Sequence, residues 1–87
     1  MNNKYKLTLD RYATYRIKVP GEVRKLHLSV AEIQIKYIQF KPNDEVITVI
    51  TCNMDQAGLY GFLRRLYALG LPLIEVVCLD YSPIDSG

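Results

Sequence analysis

The residue types that could perform chemistry in this chain are few and far apart. Cys52, His27 and Asp55 are the types required for a nucleophile, a base and a group that orients the base. Their spacing matches no such arrangement, and Cys52 lies in an apolar stretch that predicts burial. His27 is the single histidine, so no second histidine can join it in holding a metal. We therefore expect no enzyme activity, no cofactor and no metal site.

Other motifs of catalysis and nucleotide binding are missing from the sequence. The carboxylates of Asp55, Glu75 and Asp80 are scattered, without the spacing of a catalytic acid pair. The glycines of the chain form neither G-x-x-x-x-G-K nor G-x-G-x-x-G, the patterns that hold phosphates. Gly58 and Gly61 would lie on one side of a helix, which is typical of close packing, including packing between subunits.

Cys52 and Cys78 are the only cysteines. Each lies in an apolar run, where a free cysteine behaves as a small hydrophobic residue. Their separation fits no zinc or redox motif, so both are predicted to be reduced core residues.

The elements that would position these residues are clearest around a helix predicted over residues 55–69. Asn53 or Asp55 can cap its first turn, and Gly70 followed by Pro72 ends it. Arg64 lies on the solvent side of the helix. The apolar stripe has helical spacing and consists of Leu59, Phe62, Leu63, Leu66 and Leu69.

Two apolar runs flank this helix, at residues 46–52 and 73–79. Neither alternates with polar residues, which predicts strands with little solvent on either face, or central strands of a sheet. A strand–helix–strand unit of this kind makes a crossover, so the two strands should run parallel. A strand is also predicted over residues 12–19, where odd-numbered residues are apolar. Residues 4–9 keep the same parity and form either an edge strand or an arm.

A hairpin is predicted from strands 32–41 and 45–52, joined at Pro42-Asn43-Asp44. The apolar parity changes between Tyr37 and Ile38, which predicts a β-bulge. Residues 22–31 fit a helix or a strand equally well, and the order of the other elements favours a short helix.

This order of elements predicts an α+β fold, the ferredoxin-like βαββαβ sandwich, in a single domain over residues 1–87. A four-stranded antiparallel sheet would carry both helices on one face, with the first helix short or degenerate. Residues 1–11 would be an extension, 12–80 the core and 81–87 a frayed tail. The other sheet face would stay open, carrying Thr14, Arg16, Lys18, Gln34 and Lys36.

The run DQAGLYGFLRRLYALGLPLIEVV, residues 55–77, resembles a segment of a family of small uncharacterised bacterial proteins that reads roughly DQAALHGLLNRIRDLGLPLLSV. YRIKVPGEV, residues 15–23, is similar to the first strand of that family. The family carries a Trp-rich turn after this strand, whereas this chain has no Trp. The resemblance implies a fold and no reaction.

Asp55-Gln56-Ala57-Gly58-Leu59 is also similar to the D-R-P-G-L type motif that opens the first helix of ACT regulatory domains, without its proline. That resemblance implies a small-ligand site near a subunit boundary, lined by Asn53, Asp55, Gln56, Gly58 and Leu59. An N-capped helix with a glycine at a close approach is the plainer interpretation.

Charge is distributed unevenly along the chain. Residues 1–41 hold nine of the eleven Lys and Arg residues against three acids, a net charge of +6, whereas residues 42–87 hold two against six, a net charge of −4. Opposed halves can steer self-association. A basic sheet face with Arg16, Lys18 and Lys36 would also suit single-stranded nucleic acid, but VITVITCN lacks the aromatic residues of RNA-recognition strands.

Composition indicates a folded cytoplasmic domain. Hydrophobic residues make up 49% of the chain, and no run is long enough to span a membrane. Small cores are marginal and often gain stability by association. We expect a non-catalytic interaction or regulatory domain that forms a homodimer or higher homo-oligomer, with a further protein partner as an option and nucleic acid as the disfavoured alternative.

Overall fold

One antiparallel sheet and one helix make up the part of the protein that the structure, a computed structural model, describes: residues 8–24, 33–40 and 43–80. The chain runs through β1 (Ala13–Pro20), β2 (Ile33–Phe40), β3 (Glu45–Met54), α1 (Gln56–Ala68) and β4 (Glu75–Cys78). The sheet order is β2-β3-β1-β4, and each neighbouring pair is antiparallel. The predicted α+β class with a four-stranded antiparallel sheet is confirmed.

Strand β1 is central because it pairs with β3 on one side and β4 on the other. Its odd-numbered side chains are buried and its even-numbered ones are more exposed, as the alternation predicted. Since β3 and β4 both run antiparallel to β1, they run parallel to each other, which was also predicted. The buried face of β1 consists of Ala13, Tyr15, Ile17 and Val19.

Helix α1 covers that buried face and matches its prediction closely. The Asp55 carboxylate caps the first turn, and Gly70 has a φ of 78° just after the last one. Leu59, Phe62 and Leu66 are buried in the core. Leu69, predicted as part of the apolar stripe, is exposed instead, because it is the C-cap residue and lies beyond the last turn that faces the sheet.

The hairpin of β2 and β3 is confirmed, but the predicted β-bulge is wrong. The pairing runs without interruption from Ile33 opposite Cys52 to Phe40 opposite Glu45. Ile38 therefore lies on the open face, directly opposite Ile47, so the parity change marks a small apolar area there. Asn43 and Asp44 form a turn, as predicted.

Strand β4 differs most from its prediction. It is four residues long rather than seven, and it lies next to β1 at the edge of the described sheet. Apolar side chains around it are exposed: Leu73, Ile74, Val76 and Leu79. The absence of alternation at residues 73–79 therefore reflects an apolar edge and not burial on both faces.

A buried threonine fastens the chain beyond β1 to the core. The Thr48 hydroxyl donates to the carbonyl of Gly21 and accepts from the amide of Val23 at 2.9 Å. The Tyr37 hydroxyl donates to the carbonyl of Val23 at 2.9 Å. These bonds satisfy a buried hydroxyl and place Val23 in the core, at the point where the predicted short helix would begin.

Several predicted features lie wholly or partly outside the described residues. Of the predicted helix at 22–31, residues 22–24 are not helical and residues 25–31 are not described. Of the run 4–9, only Thr8 and Leu9 are described, and they precede β1 in a turn rather than a strand. His27, Pro42 and the tail 81–87 lie outside the described residues.

Truncation of Leu66 tests the assignment of the buried helix face. Leu66 has no solvent exposure, so Leu66→Ala should leave a cavity and lower the free energy of unfolding by about 2–5 kcal/mol. A domain of this size has as little as about 5 kcal/mol in total, so the variant should be largely unfolded. Exposed Arg65 is the control, and Arg65→Ala should cost no more than roughly 0.5 kcal/mol. Urea unfolding followed by circular dichroism measures both, and equal midpoints would contradict the assignment.

Candidate functional site

The junction of β3 and α1 holds most of the predicted ligand-site residues. Asp55 has extended backbone, and its Oδ1 accepts the amide of Gly58 at 2.8 Å. The amide of Gln56 donates to the carbonyl of Leu9 at 3.0 Å. The chain itself therefore satisfies two donors of the first turn, and the Asp55 carboxylate occupies the position that an anionic ligand would seek.

The structure brings together only part of the predicted ligand-site set. Asp55, Gln56 and Gly58 share the first turn of α1, whereas the side chain of Leu59 is buried in the core. Asn53 lies on the open sheet face, where its Nδ2 donates to Thr14 Oγ1 at 3.1 Å. An exposed ligand on this turn would meet at most three of the five predicted residues, and only Asp55 and Gln56 would offer it a side chain.

Of the two glycines predicted to allow close packing, only Gly58 is in a tight position. A Cβ atom at Gly58 would meet Met54 Cβ at 3.2 Å and Asp55 Oδ1 at 3.1 Å. A Cβ at Gly61 would meet no described atom within 4 Å. Gly58 thus lets the first turn of α1 approach the end of β3, and Gly61 faces open space on the exposed side of the helix.

A buried tyrosine hydroxyl near this turn was missed in the sequence. Tyr15 is 2% exposed, and its hydroxyl makes no hydrogen bond of normal geometry to any described residue. Burial raises its pKa above the usual 10.0. Gln56 lies close enough to lower that pKa, but its Oε1 accepts the Tyr60 hydroxyl at 3.3 Å. Tyr15 occupies an odd-numbered position of β1, which predicts that its side chain is buried. Because a buried tyrosine hydroxyl normally requires a hydrogen-bond partner, this position could have revealed the group.

The predicted basic face is partly neutralised by an acid from β4. Arg16 and Lys18 lie on the open face, and Glu75 Oε1 lies 3.6 Å from Arg16 Nε and 3.3 Å from Lys18 Nζ. These pairs are about one-third exposed, so their energy is small, but they lower the positive charge offered to a ligand. Lys36 lies on the same face, one strand beyond Val49.

Val49 is an apolar residue on this open face that has little contact with solvent. It points away from the helix-covered core, yet it is only 8% exposed. Lys18 and Lys36 flank it in the register, and long cationic side chains can cover a neighbouring apolar group with their methylene stems. The open face is therefore a mixed surface, on which Lys18 and Lys36 lie in register with the apolar Val49.

The family model described as Domain of unknown function (DUF8691) matches residues 14–77. The chain belongs to this family. That membership confirms the predicted resemblance at the level of an uncharacterised family. No curated protein and no solved structure matches the chain.

The match gives the DUF8691 domain clear limits within the fold. It spans almost all of β1, then β2, β3 and α1, and it ends one residue before the end of β4. Both the first turn of α1 and the basic face with Glu75 lie inside the DUF8691 domain. Asp80, whose Oδ2 accepts the amide of Thr14 at 2.9 Å, lies outside it.

Cys52 on β3 and Cys78 on β4 are both free cysteines, and β1 lies between their two strands. Tyr15 lies opposite Cys52 on one side and opposite Cys78 on the other. Cys52 is buried in the core as predicted, and burial raises the pKa of its thiol. Cys78 is only partly buried, because β4 is an edge strand.

The described ranges contain neither a metal-binding group of side chains nor a membrane-spanning helix. No group of three or more His, Cys, Asp or Glu residues in residues 8–24, 33–40 and 43–80 is arranged to hold a metal ion. No helix in the described part of the chain is long and apolar enough to cross a membrane.

Proposed function

We propose that this DUF8691 domain is a non-catalytic interaction module that associates with itself in the cytoplasm. The observation that supports it is a concentration of exposed apolar side chains around β4. Six of the ten exposed large hydrophobic residues in the described ranges fall between residues 67 and 79. Exposed apolar patches are typical of interaction sites. We call five of these residues the β4 rim: Leu69, Leu73, Ile74, Val76 and Leu79.

The β4 rim belongs to a domain with a small hydrophobic core. Its fully buried side chains come mainly from β1, β3 and α1, and a chain of 87 residues buries a smaller share of its surface than a larger protein does. Association at the rim would remove apolar surface from water that the monomer leaves exposed. The module would work as a homodimer or higher homo-oligomer and could present its open face to a further protein.

We propose the ferredoxin-like arrangement as the architecture of the complete module. The order β2-β3-β1-β4 with antiparallel neighbours is the order that a βαββαβ chain requires. Val23, held in the core by Thr48, would lead into a first helix beside α1. Both helices would then lie on one face, leaving the other face for Arg16 and Lys18.

Sedimentation of the full-length chain at micromolar concentration tests self-association. We expect a mass of at least twice the 10.0 kDa of one chain. Ile74→Lys places a charge on the exposed rim and should weaken association at least tenfold, because burial of an unpaired lysine at an interface is costly. Gln34→Lys, on the exposed surface of β2, is the matched control and should leave the mass unchanged. A wild-type chain that stays monomeric and captures no protein in a pull-down would refute the proposal.

A small-ligand site at the first turn of α1 is a second candidate, and it would make the domain ACT-like. The buried Tyr15 hydroxyl favours it: this group makes no hydrogen bond of normal geometry to a described residue, and a polar ligand beside Gln56 would supply one. Ligand at one hundred times its Kd stabilises the folded state by about 2.7 kcal/mol, which raises the melting temperature. A panel of amino acids and nucleotides should contain such a ligand, and Gln56→Ala should reduce its effect. If no compound raises the melting temperature, this candidate is wrong.

Single-stranded nucleic acid is the weaker alternative, supported by Arg16, Lys18 and Lys36 on one face. Binding through these residues should fall steeply with salt and should strengthen in Glu75→Gln, which removes the acid paired with two of them. Fluorescence anisotropy with a short RNA at low and moderate salt measures both effects. Failure of both proteins to bind at low salt would exclude this function.

A further inference from the structure

We infer that two copies of the chain join through the outer edges of β4, antiparallel, about a two-fold axis that passes beside Val77. This inference rests on the proposed self-association and specifies its surface. It would make one continuous sheet from two domains, with the partner being a second copy of this chain. The mode is the addition of a strand to an exposed sheet edge.

The backbone of β4 offers the bonds that such pairing needs. Leu79 donates its amide to the carbonyl of Thr14 at 2.7 Å, so Leu79 directs its backbone groups towards β1. Backbone groups alternate in direction along an antiparallel strand, so those of Val77 also face β1. The N–H and C=O groups of Val76 and Cys78 then face outward, where no strand of the described ranges pairs with them.

These outward groups select one register. With the axis beside Val77, Val76 of one copy lies opposite Cys78 of the other, and each such pair exchanges two N–H···O bonds. Two symmetry-related pairs give four hydrogen bonds across the axis. Val77 then meets Val77 of the second copy in a pair that is not hydrogen-bonded, where the two Cα atoms lie about 4.5 Å apart.

Side chains agree with this register on both faces of the sheet. On the helix side, exposed Val76 of one copy and partly buried Cys78 of the other become neighbours. On the open side, the two Val77 side chains meet, and Glu75 lies opposite Leu79 of the second copy. No like charges lie directly opposite each other, and Glu75 is already paired with Lys18 of its own sheet.

The other edge of the described sheet, β2, is less suited to pairing with a second copy than β4 is. Natural proteins protect free edges with charged and polar side chains, above all with lysine. Strand β2 carries exposed Gln34, Lys36 and Gln39. Strand β4 reads EVVC, and the charge of its one acid is balanced within its own sheet. The edge without protective charges is the one surrounded by the apolar rim.

Disulfide trapping at the axis tests this register in the full-length chain. In a Cys78→Ser background, Val77→Cys should form an intermolecular disulfide in most of the protein under mild oxidation, because Cα atoms about 4.5 Å apart lie within disulfide range. A non-reducing gel measures the fraction. Lys36→Cys in the same background, exposed on the β2 edge, is the control and should stay largely monomeric. Cys52 is buried and remains in both proteins.

A charge exchange at Val77 gives a second measurement that does not depend on oxidation. Val77→Lys and Val77→Glu should each lose association at least tenfold, because like charges meet at the axis. Mixing the two variants should restore a dimer that contains one copy of each. Thermal unfolding of each variant checks that the edge substitution leaves the domain folded.

The outcomes separate this inference from the function on which it rests. A wild-type dimer with neither the Val77→Cys disulfide nor recovery on mixing would overturn the β4 pairing and leave self-association standing. A wild-type monomer would overturn both. A disulfide at residue 77 together with recovery on mixing would establish the pairing.

Discussion

The pairing of β1 on both of its edges is the constraint on which the described structure depends. Because β3 and β4 both bond to β1, every odd-numbered side chain of β1 is forced towards α1 and every even-numbered one towards the open face. Ile17, Ile50 and Leu66 meet in the core without solvent exposure. A one-residue slip of β1 would turn Arg16 and Lys18 into that core, so the register and the charge of the open face are fixed together.

How much of this fold could be predicted depended on the range of the interactions that decide it. The helix was predictable from local signals. The Asp55 cap marks its start, the stripe around Leu66 marks its buried face and Gly70 marks its end, and each signal lies in or next to the helix itself. The exposure of β4 was not predictable, because an apolar run is equally consistent with a strand covered on both faces and with an apolar edge. The prediction of a bulge near Tyr37 was wrong for a similar reason, since only the pairing with β3 shows that Ile38 lies opposite Ile47.

In the candidate sites too, local patterns were predictable and contacts between distant residues were not. Strand parity predicted that Arg16, Lys18 and Lys36 would share a face. It did not predict Glu75 beside two of them, because that contact joins strands about sixty residues apart in the chain. The motif at residues 55–59 predicted the capped turn, and the apolar stripe predicted that Leu59 would face the core, where it does not contact an exposed ligand. The lack of a well-placed partner for the Tyr15 hydroxyl among the described residues could be seen only once its burial and its neighbours in space were known.

Glu75 links the competing functions through one physical effect. Its carboxylate lies between Arg16 and Lys18, and this lowers the positive potential that a phosphate backbone would need. The same contact balances the one charge on β4, so this edge carries apolar side chains, and backbone groups that no described strand pairs with, without net repulsion. An edge of that kind attracts another strand unless something protects it. The residue that weakens the case for nucleic acid therefore strengthens the case for a second copy of the chain at β4.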